Sequence, residues 1–246
     1  YYYLDYKLMA RFASLLGKDA APYQEKANTL KSLINQKFFK AETSVYAEGT
    51  QTAQALALYL GLVPEGKEQL VADKLREVVA GNNYFLDFGL LGSKTVPAML
   101  TKYGYIEDAM KMITKTEAPS WGYWVETMGY TTLPETWTLS PEFRDASLNH
   151  VFMGDVSAWM MNQLAGINYD AAEPGFRHIL ITPHFVEGMD WAKGEYRSVR
   201  GMISSEWKRE GGKVTLTVTI PSGCTAEIRV GDKTETVGSG TYVNTY

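Results

Sequence analysis

The sequence predicts a multi-domain α and β fold: a partial α/α toroid over residues 1–168, then a small antiparallel β-sandwich over residues 169–246. Three observations point there. Apolar residues recur at helical spacing through the first two thirds, in segments joined by short loops and without βαβ alternation. From about residue 170 the period falls to two, with Gly or Pro between short runs. Between these regimes lies "GINYDAAEPG", a stretch of turn formers and acids that marks the boundary.

The elements follow in order. Leu4, Leu8, Phe12 and Leu15 repeat at helical spacing until Gly17 ends the run. Residues 20–38 continue with Tyr23, Ala27, Leu30, Leu33, Ile34 and Phe38. "TQTAQALALYLGL" offers a Thr cap and an apolar helix stopped at Gly61. Pro64 opens the next helix, which carries Leu70, Val71, Leu75, Val78 and Val79. "SKTVPAMLTKYG" and "YIEDAMKMITK" are shorter helices. "LNHVFMGDVSAWMMNQLAGI", residues 148–167, reads as one last buried helix, because it is apolar nearly all round. Paired helices of this kind build a toroid whose loops at one rim hold the chemistry. Beyond the boundary, "FRHILITP", "GMDWAKGEYRSVRGMISSEWKRE", "GKVTLTVTIP" and "CTAEIRV" alternate as strands, and Gly211 and Gly212 supply a hairpin turn.

Composition excludes several function classes. The 246 residues carry a net charge of -4, which argues against a nucleic-acid partner, since phosphate binding needs a concentrated basic face. No run of about 18 apolar residues codes a membrane span. The single cysteine, Cys224, rules out an internal disulfide and reads as a buried thiol in a strand. His150, His178 and His184 fall in different elements without ligand spacing, so no metal and no cofactor is expected. The opening "YYYLDYKLMARFASLLG" has neither an initiator Met nor a signal-peptide layout and reads as a helix interior, as if more chain preceded it.

Six Trp, nine Phe and sixteen Tyr make aromatic content the outlier, and many of them stand in polar loops. Such rings either stack against sugars or simply pack in a core. Three stretches gather polar groups beside them. "SVYAEGTQTAQALAL" places Glu48, Gln51 and Thr52 at a helix entrance. "PSWGYWVETMGYTTLPETW" carries Trp121, Trp124, Glu126, Thr132, Glu135 and Trp137. "SLNH" adds Asn149 and His150. A carboxylate among indoles is partly desolvated, which raises its pKa and suits acid–base work, so Glu135 with His150 is a candidate pair. The plainer reading makes Trp121 and Trp124 core anchors, His150 a helix-start histidine and Glu135 a solvated surface acid. Residue chemistry alone leaves both readings open.

"GTQTAQALALYLGLVP", "PSWGYWVETMGYTTLPETW", "SLNHVFMGDVSAWMMNQLAGI" and "FRHILITP", in that order, resemble the inverting α-L-rhamnosidases of glycoside hydrolase family 78. The resemblance runs over nearly the whole chain. It implies the C-terminal part of an (α/α)6 barrel followed by that family's C-terminal β-sandwich. It implies that Glu135 is the general base that activates water, and that Trp121, Trp137, His150, Thr132 and Gln51 line the sugar pocket. Tyr130 replaces the family's usual small residue and Pro134 its usual bulky one. The family's general acid belongs to an upstream segment that nothing in residues 1–246 matches. An inverting enzyme needs both groups, about 6.5–9.5 Å apart. The expectation is therefore a fragment inactive alone, whose partners are a rhamnose-containing glycan and the preceding part of the same polypeptide. The resemblance leans towards a periplasmic or secreted setting. The alternative is a non-catalytic carbohydrate-binding module on the same scaffold; a lyase or another toroid glycosidase would share it too.

Three of the aromatic residues in the strand-rich part are candidates for a platform. Trp191, Tyr196 and Trp207 either form a sugar platform on the sandwich or pack as core and interface residues.

Overall fold

The computed structural model describes residues 1–137 and 145–246. The chain divides into two compact units, residues 1–153 and 154–246.

The first unit is built from helix pairs. α1 (Tyr2–Leu15) pairs with α2 (Ala21–Phe38), and a short hairpin of β1 (Phe39–Lys40) and β2 (Val45–Tyr46) leads on to α3 (Gln51–Leu60). α4 (Glu68–Gly81) packs on α3, α5 (Leu90–Lys102) packs on both, and α6 (Ile106–Ile113) closes against α5. α3 follows local rules at both ends. The Thr50 hydroxyl accepts the Ala53 amide at 3.2 Å, and Gly61 ends the helix in the left-handed region at φ 71°. α4 begins at Glu68 rather than at Pro64, because residues 64–67 close a turn through Lys67 N–H and the Pro64 carbonyl. Its buried face carries Val71, Ala72, Leu75 and Val79. Each fully buried large apolar side chain of this kind contributes about 1.5–3 kcal/mol. Arg76 Nε donates to the buried Asp108 carboxylate at 2.8 Å and ties α4 to α6.

Two expectations change here. The stripe Leu8, Phe12 and Leu15 on α1 is exposed, at 39%, 50% and 73%, while Tyr3, Ala10 and Ala13 form the buried face. α1 packs on α2 while the larger side chains of this stripe stay outside. The single helix expected over residues 148–167 is instead three short pieces. A 3-10 turn (Val151–Gly154), α7 (Asp155–Trp159) and a π-helix (Met160–Leu164) follow one another. The helix fails to start at Leu148 because His150 N–H bonds across to the Leu133 carbonyl at 2.8 Å instead of along its own segment. Nor is the run buried all round, since Val151 is 79% exposed.

The second unit is a β-sandwich. One sheet has the order β10-β7-β6-β5 and the other β3-β4-β8-β9. The strands are β3 (Ile167–Tyr169), β4 (His178–Ile181), β5 (Trp191–Ser198), β6 (Gly201–Glu210), β7 (Lys213–Ile220), β8 (Thr225–Val230), β9 (Lys233–Val237) and β10 (Gly240–Thr245). Alternation sets the core: Val214, Leu216, Val218 and Ile220 of β7 face inward with Ile203 and Trp207 of β6, and the Thr side chains between them face out. Gly211 and Gly212 take φ 56° and 79° in the β6–β7 turn, as the sequence predicts. Every pairing in the sandwich is antiparallel except β4 with β8, which is parallel and so cannot be a simple hairpin connection. Cys224 is buried. His178 Nδ1 lies 2.8 Å from the Thr225 hydroxyl, and His184 Nδ1 lies 3.2 Å from the Gln163 carbonyl.

Candidate functional site

The stretch around Glu135 is held by a second strand of loop. Glu135 N–H donates to the Ser147 carbonyl at 2.8 Å, and Ser147 N–H donates to Glu135 Oε2 at 3.0 Å. Two rungs further along, His150 N–H donates to the Leu133 carbonyl at 2.8 Å and the Thr132 hydroxyl to the Leu148 carbonyl at 2.7 Å. These four bonds bring Thr132, Glu135 and His150 together from segments that the sequence separates. The carboxylate is half-buried, and one of its oxygens is fixed by a backbone N–H. A group so held keeps its orientation without side-chain entropy still to lose. Gly129, Tyr130, Thr131, Thr132, Pro134 and Leu148 line a depression of about 220 Å³, whose wall includes neither Glu135 nor His150.

His150 stands edge-on to Phe152, ring centres 5.3 Å apart, and its Nδ1 accepts the Phe152 amide at 3.3 Å. With Nδ1 an acceptor, the neutral ring carries its proton on Nε2, which can donate to a hydroxyl.

The aromatic residues form a single cluster. Trp124 stacks on Trp137 at 4.4 Å, Trp121 meets Trp137 edge-on at 5.3 Å, and Phe88 touches both Trp121 and Trp137. Each indole N–H has a backbone acceptor: Trp121 the Met153 carbonyl at 3.0 Å, Trp124 the Trp137 carbonyl at 3.2 Å, Trp137 the Phe88 carbonyl. Trp121 and Trp124 are 5% and 1% exposed, whereas Trp137 is half-buried and offers ring surface. A π-helix (Tyr123–Thr127) carries Trp124, with the Ser120 hydroxyl accepting the Tyr123 amide at 2.9 Å. Gly122 is required just before it, because a Cβ there would lie 2.3 Å from the Lys115 carbonyl oxygen.

Gln51 is fully buried at the start of α3. Its amide bridges the loop before α5, with Nε2 donating to the Phe85 carbonyl at 3.0 Å and Oε1 accepting the Asp87 amide at 3.2 Å. Because the Phe88 carbonyl in turn accepts from Trp137, Gln51 holds the support of that indole rather than reaching into open space. Glu48, Glu126 and Asn149 are exposed, and Thr52 stands against Gly92. Sequence reasoning missed Ser147, whose two backbone atoms fix Glu135. No side-chain pattern reveals it, since the hold comes from the peptide group.

A helical-hairpin domain that gathers an acid, a histidine and a tryptophan cluster in its loops, followed by a β-sandwich, is the architecture of a glycosidase family. The family model for the bacterial α-L-rhamnosidase 6-hairpin glycosidase domain matches residues 1–164, and that for the bacterial α-L-rhamnosidase C-terminal domain matches residues 166–243. The chain belongs to the bacterial α-L-rhamnosidase family. It is 31% identical over 229 residues to an α-L-rhamnosidase of Streptomyces avermitilis, a match that covers 90% of this chain and 22% of that protein. The structure of Streptomyces avermitilis α-L-rhamnosidase complexed with L-rhamnose superposes with a TM-score of 0.89 at 28% identity, covering 98% of this chain and 26% of that one. The native α-L-rhamnosidase of Aspergillus terreus gives 0.91 at 28% identity, covering 99% of this chain and 29% of that one. The chain therefore spans about a quarter of the length of these relatives.

Proposed function

We propose that this chain is the base-carrying part of a glycoside hydrolase that removes terminal α-L-rhamnosyl groups with inversion of configuration. Glu135 is the general base. It takes a proton from the water that attacks the anomeric carbon, while the general acid comes from another part of a longer polypeptide. The observation that carries the reading is the pairing of residues 132–135 with 147–150. It fixes the Glu135 carboxylate through Ser147 N–H at 3.0 Å and ties Thr132 and the His150 backbone into the same ladder.

The other roles follow from placement. The His150 Nε2–H donates to a sugar hydroxyl, and the half-buried Trp137 supplies a flat wall for the C–H face of the ring. Trp121 stands behind Trp137, and Gln51 holds the loop that both rest on. The preceding part of the same polypeptide covers the exposed Leu8–Phe12–Leu15 face of α1, the remaining helices completing the toroid. In this reading, residues 1–168 belong to the catalytic domain and 169–246 to the sandwich.

Glu135→Gln in the full-length enzyme tests this directly. Loss of a general base costs about 10²–10⁴-fold in turnover. The assignment fails if hydrolysis of an aryl α-L-rhamnoside stays within a few-fold of wild type. Residues 1–246 alone are expected to show no turnover, since the acid would be missing. Proton NMR of the first sugar released decides between inversion and retention.

A further inference from the structure

Of Trp191, Tyr196 and Trp207, two are engaged. Trp207 is fully buried and donates its N–H to the Leu164 carbonyl at 2.8 Å, and Tyr196 lies against Phe176 with ring centres 4.9 Å apart. Trp191 is different. It is 61% exposed at the start of β5, on the outward face of the sheet.

That orientation is fixed rather than incidental. Ala192 and Gly194 face inward, and Gly194 has no room for a side chain, since a Cβ there would lie 2.5 Å from Ala165 Cβ and 2.7 Å from Met161 Sδ. A one-residue slip would drive Lys193 into that contact, so the register that points Trp191 outward is locked. The segment before it is clamped as well. Arg209 Nη2 donates to the Phe185 and Val186 carbonyls at 3.0 and 3.1 Å, and the Arg209 amide donates to the Asp190 carbonyl at 2.7 Å. The indole thus rises from a backbone that is already fixed, which lowers the entropic cost of binding.

Around the indole the sheet register lays out a flat grid. Trp191 pairs with Lys208, Lys208 with Thr215, and Thr215 with Thr245, so one row crosses all four strands. The row beside it begins with Lys193, Glu206 and Thr217. Lys193 pairs with Glu195 and Lys208 with Glu206, each at 2.8 Å. The patch is therefore dense in donors and acceptors yet carries no net charge. Four strands at about 4.8 Å spacing make the row about 14 Å long, which suits several linked sugar units better than one.

We propose that this outward face, centred on Trp191, binds a neutral oligosaccharide chain. The apolar C–H face of one pyranose stacks on the indole, and hydroxyls further along the chain bond to the Lys–Glu pairs and the threonines. Charge balance selects a neutral polymer, because an acidic one would have to displace Glu206 and Glu195 from their lysines. The surface stands apart from the Glu135 assignment and does not depend on it.

The test is affinity electrophoresis of the intact protein through gels holding xyloglucan, galactomannan or a rhamnose–glucose polysaccharide, with polygalacturonate as the acidic comparison. Retardation is expected on at least one neutral polymer. Trp191→Ala should weaken it about tenfold, without changing the melting temperature. Thr217→Lys, which adds a charge to the grid and leaves the indole alone, should weaken it as well, and Glu135→Gln should leave it intact. The proposal is overturned if no neutral polymer retards the protein, if both surface variants bind within about twofold of wild type, or if Glu135→Gln abolishes the retardation.

Discussion

Gln51→Leu isolates the support of the aromatic cluster. Leucine matches the glutamine closely in size and removes both polar ends. The Asp87 amide, which donates to Gln51 at 3.2 Å, is then left without this partner, while the Phe85 carbonyl loses its 3.0 Å bond but keeps one from Asn82 Nδ2 at 3.2 Å. A buried backbone group that loses its bond costs about 1–3 kcal/mol, so about 2 kcal/mol, mostly from the Asp87 amide, is the reasoned figure. Local opening of residues 85–88 should become about thirtyfold more frequent. Hydrogen-exchange mass spectrometry reads this directly in a peptide covering residues 85–89. Because the Phe88 carbonyl accepts from Trp137, tryptophan fluorescence should shift too. If exchange in that peptide changes by less than about threefold, the bridge does not hold the loop.

Two further substitutions probe packing. Gly122→Ala places a methyl 2.3 Å from the Lys115 carbonyl oxygen, a backbone atom that cannot swing aside, so thermal unfolding should show a loss of about 2–3 kcal/mol. Trp207→Phe removes ring volume and the bond to the Leu164 carbonyl from the sandwich core; a loss of about 3 kcal/mol is expected by urea denaturation, and an unchanged midpoint would argue against the indole as the core anchor.

What could be foreseen from the sequence follows from how local each cause is. The ends of α3 were legible, because Thr50 and Gly61 act within one helical turn. So was the Gly211–Gly212 turn, since positive φ is written in the residue type. The late start of the helical run after Leu148 was not, since it depends on a bond from His150 to Leu133, seventeen positions away in the chain. The exposure of the α1 stripe was not legible for a related reason. Periodicity shows that Leu8 and Phe12 share a face, but not which neighbour covers it. At the site, the family resemblance rather than spacing singled out Glu135 and His150 as candidates, while the backbone of Ser147 and the loop bridge of Gln51 carry no side-chain signature.

The grip on Glu135 comes from the peptide group of Ser147, not from its hydroxyl. Position 147 can therefore drift among nineteen residue types without loosening the carboxylate, and only proline, which has no N–H to give, would release it. A site anchored in this way is tolerant of mutation in its alphabet and strict in its chain trace, so distant descendants could share the geometry while the letters beside the acid differ.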